Sequence, residues 1–88
     1  MPERYRVEIK RSAAKEIRAI SHARDRERVI SRIQGLDFDP RPAGCVKLSG
    51  RDAYRARQGT FRIVYTIQND LLVVEVVRVA YRRYSSRS

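Results

Sequence analysis

Residues 60–68 and 71–79 read TFRIVYTIQ and LLVVEVVRV, two apolar runs separated only by Asn69-Asp70. Asn and Asp favour tight turns, so the pair commits the centre of the chain to an antiparallel hairpin. Side chains alternate across a strand. Phe61, Ile63, Tyr65 and Ile67 therefore share one face, and Arg62, Val64, Thr66 and Gln68 share the other. A two-residue loop pairs Gln68 with Leu71 and sets Arg62 opposite Val77, which adds Leu72, Val74 and Val76 to the Phe61 face. That face is apolar throughout and is predicted to lie beneath the rest of the chain. Arg62 and Glu75 fall on the less covered face. A one-residue bulge would reverse the assignment beyond it.

The remaining elements follow from period and punctuation. Tyr5, Val7 and Ile9 alternate with Arg6, Glu8 and Lys10, the pattern of a strand with one buried face. Ser12 is placed to cap a helix over 13–20, with Ala13, Ile17 and Ile20 on one stripe. A second helix is predicted from Arg24 to Ile33 or Gln34, with Val29, Ile30 and Ile33 inward and Gly35 as its stop. LDFDPRPAG, residues 36–44, is a loop. A short strand over Tyr54–Arg57 precedes the hairpin. The order β-α-α-β-β-β predicts one α+β domain over residues 1–88, a small antiparallel sheet with two N-terminal helices packed on one face.

Charge narrows the partners. Twenty Lys and Arg against ten Asp and Glu leave a formal charge of +10 on 88 residues. Such an excess repels itself and is relieved by a polyanion. Nucleic acid fits best and an acidic protein segment next. No helix carries the long apolar face of a membrane-surface element. One cysteine excludes an internal disulfide, and no signal peptide or spanning segment is recognisable, which predicts a cytoplasmic protein. Arg55 and Arg57 share a parity and are placed beside Arg62, with Arg82 and Arg83 just beyond the last strand. The expectation is a sheet surface holding Arg55, Arg57, Arg62 and Arg82. Tyr5, Tyr54 and Tyr65 read as packing residues, and Asp52 and Glu75 as ion-pair partners for surplus arginines. His22 reads as a turn residue, and Cys45 as inert. A single histidine cannot build the usual zinc or Ser-His site, so no metal or cofactor is expected.

The run KLSG…YRARQGTFRIVYTI…VVEVVRVAYRR resembles the RelE/ParE toxin superfamily of bacterial and archaeal toxin–antitoxin systems. There a Y-R-x-R-x-G-x-[YF]-R-[IVL]-[IVL]-Y strand pair precedes a V-x-[VI]-x-x-[VIG]-x-[HKR]-R run. The likeness extends over nearly the whole chain and implies a RelE-like, microbial-ribonuclease-type fold. It also implies a toxin that cuts mRNA on the ribosome, without metal, by attack of a ribose 2′-hydroxyl. Arg62 and Arg82 match the family's catalytic basic positions, and Arg55 and Arg57 its basic pair, where lysines are common. Guanidinium, with a pKa above about 12, clamps phosphate rather than accepting protons. Lys47 and Arg83 extend the implied RNA-binding set. The family's usual R-R-x-x-Y ending is altered to Tyr81-Arg82-Arg83-Tyr84, which leaves Tyr81 or Tyr84 as the candidate for proton transfer or, instead, for stacking on a base.

The resemblance also implies partners: a cognate antitoxin, the ribosome and mRNA, with operator DNA reached through the antitoxin. The same superfamily contains non-catalytic inhibitors of DNA gyrase, which generally lack the paired sheet arginines. A plain RNA- or ribosome-binding module is a third reading. The residues favour the nuclease.

Overall fold

The fold was obtained as a computed structural model that describes residues 4–48, 50 and 52–81. Strand β1 (Arg6–Ile9) runs directly into helix α1 (Arg11–Arg18), followed by α2 (Ala23–Gln34) and one 3-10 turn (Gly35–Asp37). Then come β2 (Val46–Lys47), β3 (Ala53–Gln58), β4 (Phe61–Gln68) and β5 (Val73–Tyr81). The sheet order is β1-β5-β4-β3-β2, antiparallel throughout except that β1 lies parallel to β5. The α+β architecture is as the sequence predicts, with two differences: the expected N-terminal strand joins β5 in parallel, so the sheet is mixed rather than antiparallel, and a two-residue β2 is added.

One face of the sheet is sealed by the helices. Ala13 and Ile17 from α1, Val29 and Ile33 from α2, and Leu36 from the 3-10 turn meet Ala56, Ile63, Tyr65, Val74 and Val76, all buried. Each aliphatic side chain withdrawn from water contributes about 1.5–3 kcal/mol. Tyr65 stacks on Tyr54 with ring centroids 6.0 Å apart, and its hydroxyl donates to the Pro40 carbonyl at 2.8 Å. Arg41 lies over the Tyr54 ring, with its Nε donating to the Tyr54 hydroxyl at 3.1 Å. The tyrosines are thus packing groups that pin the Pro-rich loop to the core.

Local expectations are corrected in three places. Ser12 does not cap α1. Lys10 occupies that position, donating to the Val76 carbonyl as the last rung of the β1–β5 ladder while its own carbonyl accepts from Ala14, both at 2.9 Å. Gly35 ends α2 in right-handed geometry (φ −65°), and the chain tightens into the 3-10 turn that buries Leu36.

The third correction is the hairpin. Its turn spans four residues, Asn69 to Leu72, with Leu72 at φ +54° and Gln68 paired with Val73. A two-residue shift preserves parity, so Val74 and Val76 still face the helices. Between Val64 and Tyr65 the ladder then slips, with Val64 opposite Arg78 and Tyr65 opposite Val76, which leaves Val77 as a bulge. Beyond it parity reverses, as a bulge requires. Val79 enters the core, and Arg62 faces Ala80 rather than Val77. Because β1 reaches only as far as Val76, the Val79 N–H lies beyond that ladder, and it donates to Glu16 Oε1 of α1 at 2.7 Å.

Candidate nucleic-acid interface

The helix-free face of the sheet carries the arginines. Arg57 of β3 pairs directly with Arg62 of β4, and Arg55 pairs with Val64. Ala56, between the two β3 arginines, pairs with Ile63 on the buried side. Parity therefore places Arg55, Arg57 and Arg62 together, away from the helices. Arg57 is exposed, while Arg55 and Arg62 are half-buried. The Arg55 Nε is buried with no hydrogen-bond partner among the described residues. Across from Arg62, Ala80 adds only a methyl group.

The face is electrically two-ended. At the β3–β4 turn it is basic. Toward the other end Glu8 of β1 pairs with Glu75 of β5, and Glu75 pairs with Thr66. An open depression of about 720 Å³ lies there, lined by Asp52, Val64, Thr66, Glu75, Val77 and Arg78 among others. Among the described residues Asp52 and Glu75 form no ion pair. The pairs present are Arg4–Asp37, Arg6–Glu8 and Arg78–Glu16, so the expected partnership with surplus arginines is not made. Lys10 and Arg78 line the same depression as Asp52 and Glu75, so that end is balanced in charge while the β3–β4 turn end is basic.

Several sequence-predicted residues stand elsewhere. Tyr81 pairs with Phe61, and their rings sit 5.2 Å apart, which puts Tyr81 on the helix-side face. The Val77 bulge is the reason, since without it Tyr81 would share the face of Arg62. Lys47 pairs with Tyr54, again on the helix side, and Val46 is the residue set beside Arg55. Arg82, Arg83 and Tyr84 lie outside the described residues. Arg78 was not anticipated, because its outward parity appears only after the bulge. His22 is the exposed first residue before α2 and Cys45 is half-buried. Among the described residues no three His, Cys, Asp or Glu side chains group as a metal site needs. No helix among them is long and apolar enough to cross a membrane.

Chemically, three guanidinium groups on a rigid support can hold phosphate oxygens bidentately and stabilise charge that develops on them. They do not move protons. Tyr65 does not either, because burial raises its phenol well above the ordinary value, with Cys45 adding to the rise.

The family described as "ParE toxin of type II toxin-antitoxin system, parDE" matches residues 7–85. The archaeal RelE of the RelE–RelB complex from Pyrococcus horikoshii OT3 is 26% identical, with a TM-score of 0.79 over 93% of this chain and 97% of that one. The isolated E. coli RelE toxin is 26% identical, with a TM-score of 0.75 over 94% of each chain. A YoeB/ParE toxin from Agrobacterium tumefaciens shares the fold at 17% identity, with a TM-score of 0.74 over 86% of this chain and 96% of that one. No significant match was found among curated proteins. With the match running from β1 past the end of β5 and the fold shared with RelE toxins, this chain belongs to the ParE toxin family, as a RelE/ParE-superfamily toxin of a type II toxin–antitoxin system.

Proposed function

We propose that this toxin is an endoribonuclease that cuts mRNA on the ribosome and so arrests translation and growth. The observation that carries the reading is the cross-strand pairing of Arg57 with Arg62, with Arg55 on the same face. Like charges directly opposite cost stability, and a phosphate between them turns that cost into binding. In the reaction a base takes the proton of a ribose 2′-hydroxyl, whose oxygen attacks the adjacent phosphorus in line. The bond to the 5′-oxygen breaks and that oxygen is protonated, leaving a 2′,3′-cyclic phosphate and a 5′-hydroxyl. Arg62, with Arg82 from the family resemblance, stabilises the charge on the phosphorane oxygens. Arg55 and Arg57 hold the substrate backbone. Proton transfer falls to Tyr84 on that resemblance, since Tyr81 stands behind the sheet from Arg62. The ribosome supplies the orientation that a shallow basic face lacks.

A cognate antitoxin is the second partner in this reading. The RelE relatives that were solved with RelB support it, as does a charge of +10 that an acidic segment would neutralise. Operator DNA would be reached through that antitoxin.

The match to a family described by its ParE toxin gives the alternative, a non-catalytic inhibitor of DNA gyrase. Mapping transcript 5′ ends after brief induction separates the two. Cuts confined to translated frames are expected; intact messages with stalled gyrase on DNA would overturn the nuclease reading.

A further inference from the structure

A second cationic site lies on the helix side, beside the end of β3. Arg28 and Arg32 stand one turn apart on α2, and with Ser31, Gly35, Asp39 and Gln58 they line a notch of about 330 Å³. Two like charges four residues apart destabilise a helix. Arg32, in the last turn, is offset by the helix dipole, but Arg28 is not. Neither forms an ion pair among the described residues, and the Arg32 Nε is buried there with no acceptor. The carboxylate in the notch, Asp39, already accepts the Arg41 backbone N–H through Oδ1 at 3.2 Å. Two guanidinium groups against one carboxylate and a helix C-terminus leave the notch positive.

The notch adjoins the arginine face. Gln58 follows Arg57 on β3, and β2 pairs with β3 only at Tyr54 and Arg55. Among the described residues no strand covers the β3 edge at residues 56–58. At the turn, Gly59 (φ +60°) presents no side chain, and the space where one would project is open. Among the described residues no side chain at Gly59 stands in the way of a polyanionic strand that lies across Arg57 and Arg62 and passes over this turn.

We infer that the notch is a second phosphate-binding subsite, in which Arg28 and Arg32 hold a backbone phosphate of the same RNA strand whose scissile linkage lies at Arg57 and Arg62. The inference rests on the RNA reading above, and it predicts a footprint longer than the catalytic patch.

The test uses full-length toxin and non-cleavable, 2′-O-methylated single-stranded RNA, in a short form spanning only the patch and a longer form reaching the notch. Fluorescence anisotropy is read against salt for wild type, the double variant Arg28→Gln with Arg32→Gln, and Arg57→Gln. The double variant should bind the short RNA normally and the long RNA several-fold more weakly, with the salt slope shallower by about 0.7 for one lost phosphate. Arg57→Gln should weaken both lengths. Equal losses of the double variant on both lengths, or no loss on either, would overturn the subsite. Loss with the double variant but none with Arg57→Gln would support the notch and sink the reading of the sheet face. Should the double variant not fold, as read by circular dichroism, Arg28→Gln alone at its exposed position must show the same dependence on length.

Discussion

Arg57 and Arg62 face each other across the β3–β4 ladder, flanking the turn at Gly59 and Thr60. Directly opposed like charges destabilise a strand pair. Replacing Arg57 with Gln should therefore leave the unfolding midpoint unchanged or slightly raised, and more so at low salt, where screening is weak. The same change should weaken RNA binding. Replacing Arg62 with Ala should lower cleavage by about a hundred- to a thousandfold, the usual cost of removing one transition-state donor, while urea unfolding shows an intact fold. Loss of stability with cleavage retained would mark these arginines as structural.

Tyr81 separates face from sequence position. Its ring packs on Phe61 on the helix side of the sheet, 37% exposed, on the opposite face from Arg62. Tyr81→Phe should cut RNA at the wild-type rate, because the ring contact survives. Tyr81→Ala should lose about 0.5–1.5 kcal/mol for the aromatic pair, together with the burial of its ring. A slowed Phe variant with unchanged stability would place the hydroxyl in the chemistry after all.

These residues also show what periodicity encodes. Alternation within 54–57 puts Arg55 and Arg57 on one face of their own strand, and the β3–β4 register then sets them beside Arg62. Alternation could not reveal the Val77 bulge, which depends on how β5 meets β4 and which sets the facing of Arg78, Val79 and Tyr81 beyond it. Nor could it place β1, since alternation names a buried face but not a neighbour. β2 is too short to show any period, so the facing of Lys47 is not legible in the sequence. The Arg28–Arg32 notch was hidden for a different reason. Arginines one turn apart on an amphipathic helix read as a solvated face until Gln58 is brought against them.

Glu16 protects the exposed side of β5. Its Oε1 accepts the Val79 N–H at 2.7 Å, beyond the reach of β1, and so covers an edge that could otherwise recruit another strand. Glu16→Ala should destabilise the fold by about 1 kcal/mol, the low end for an unsatisfied donor because the site opens to water. Glu16→Gln keeps an acceptor and should recover most of that loss. The contact with Arg78, at 4.0 Å and largely exposed, should add little. Equal destabilisation by Ala and Gln would assign the effect to the ion pair instead.

Tyr65 makes the stability of the fold sensitive to alkali. The side chain is fully buried, and its phenol is raised above the ordinary value chiefly by that burial. The unfolded chain releases the proton near pH 10 whereas the folded chain retains it, so the unfolded state binds fewer protons and stability falls as pH rises. The contribution is fully present below about pH 10 and declines above it by about 1.4 kcal/mol per pH unit. Tyr65→Phe removes that dependence but also removes the donor to the Pro40 carbonyl, a loss of about 0.5–1.5 kcal/mol at neutral pH. Wild type should therefore be the more stable protein at pH 7, and the Phe variant should overtake it in strong alkali. Urea unfolding across that range checks the crossing, and parallel curves would mean that the phenol ionises as easily in the fold as in the open chain.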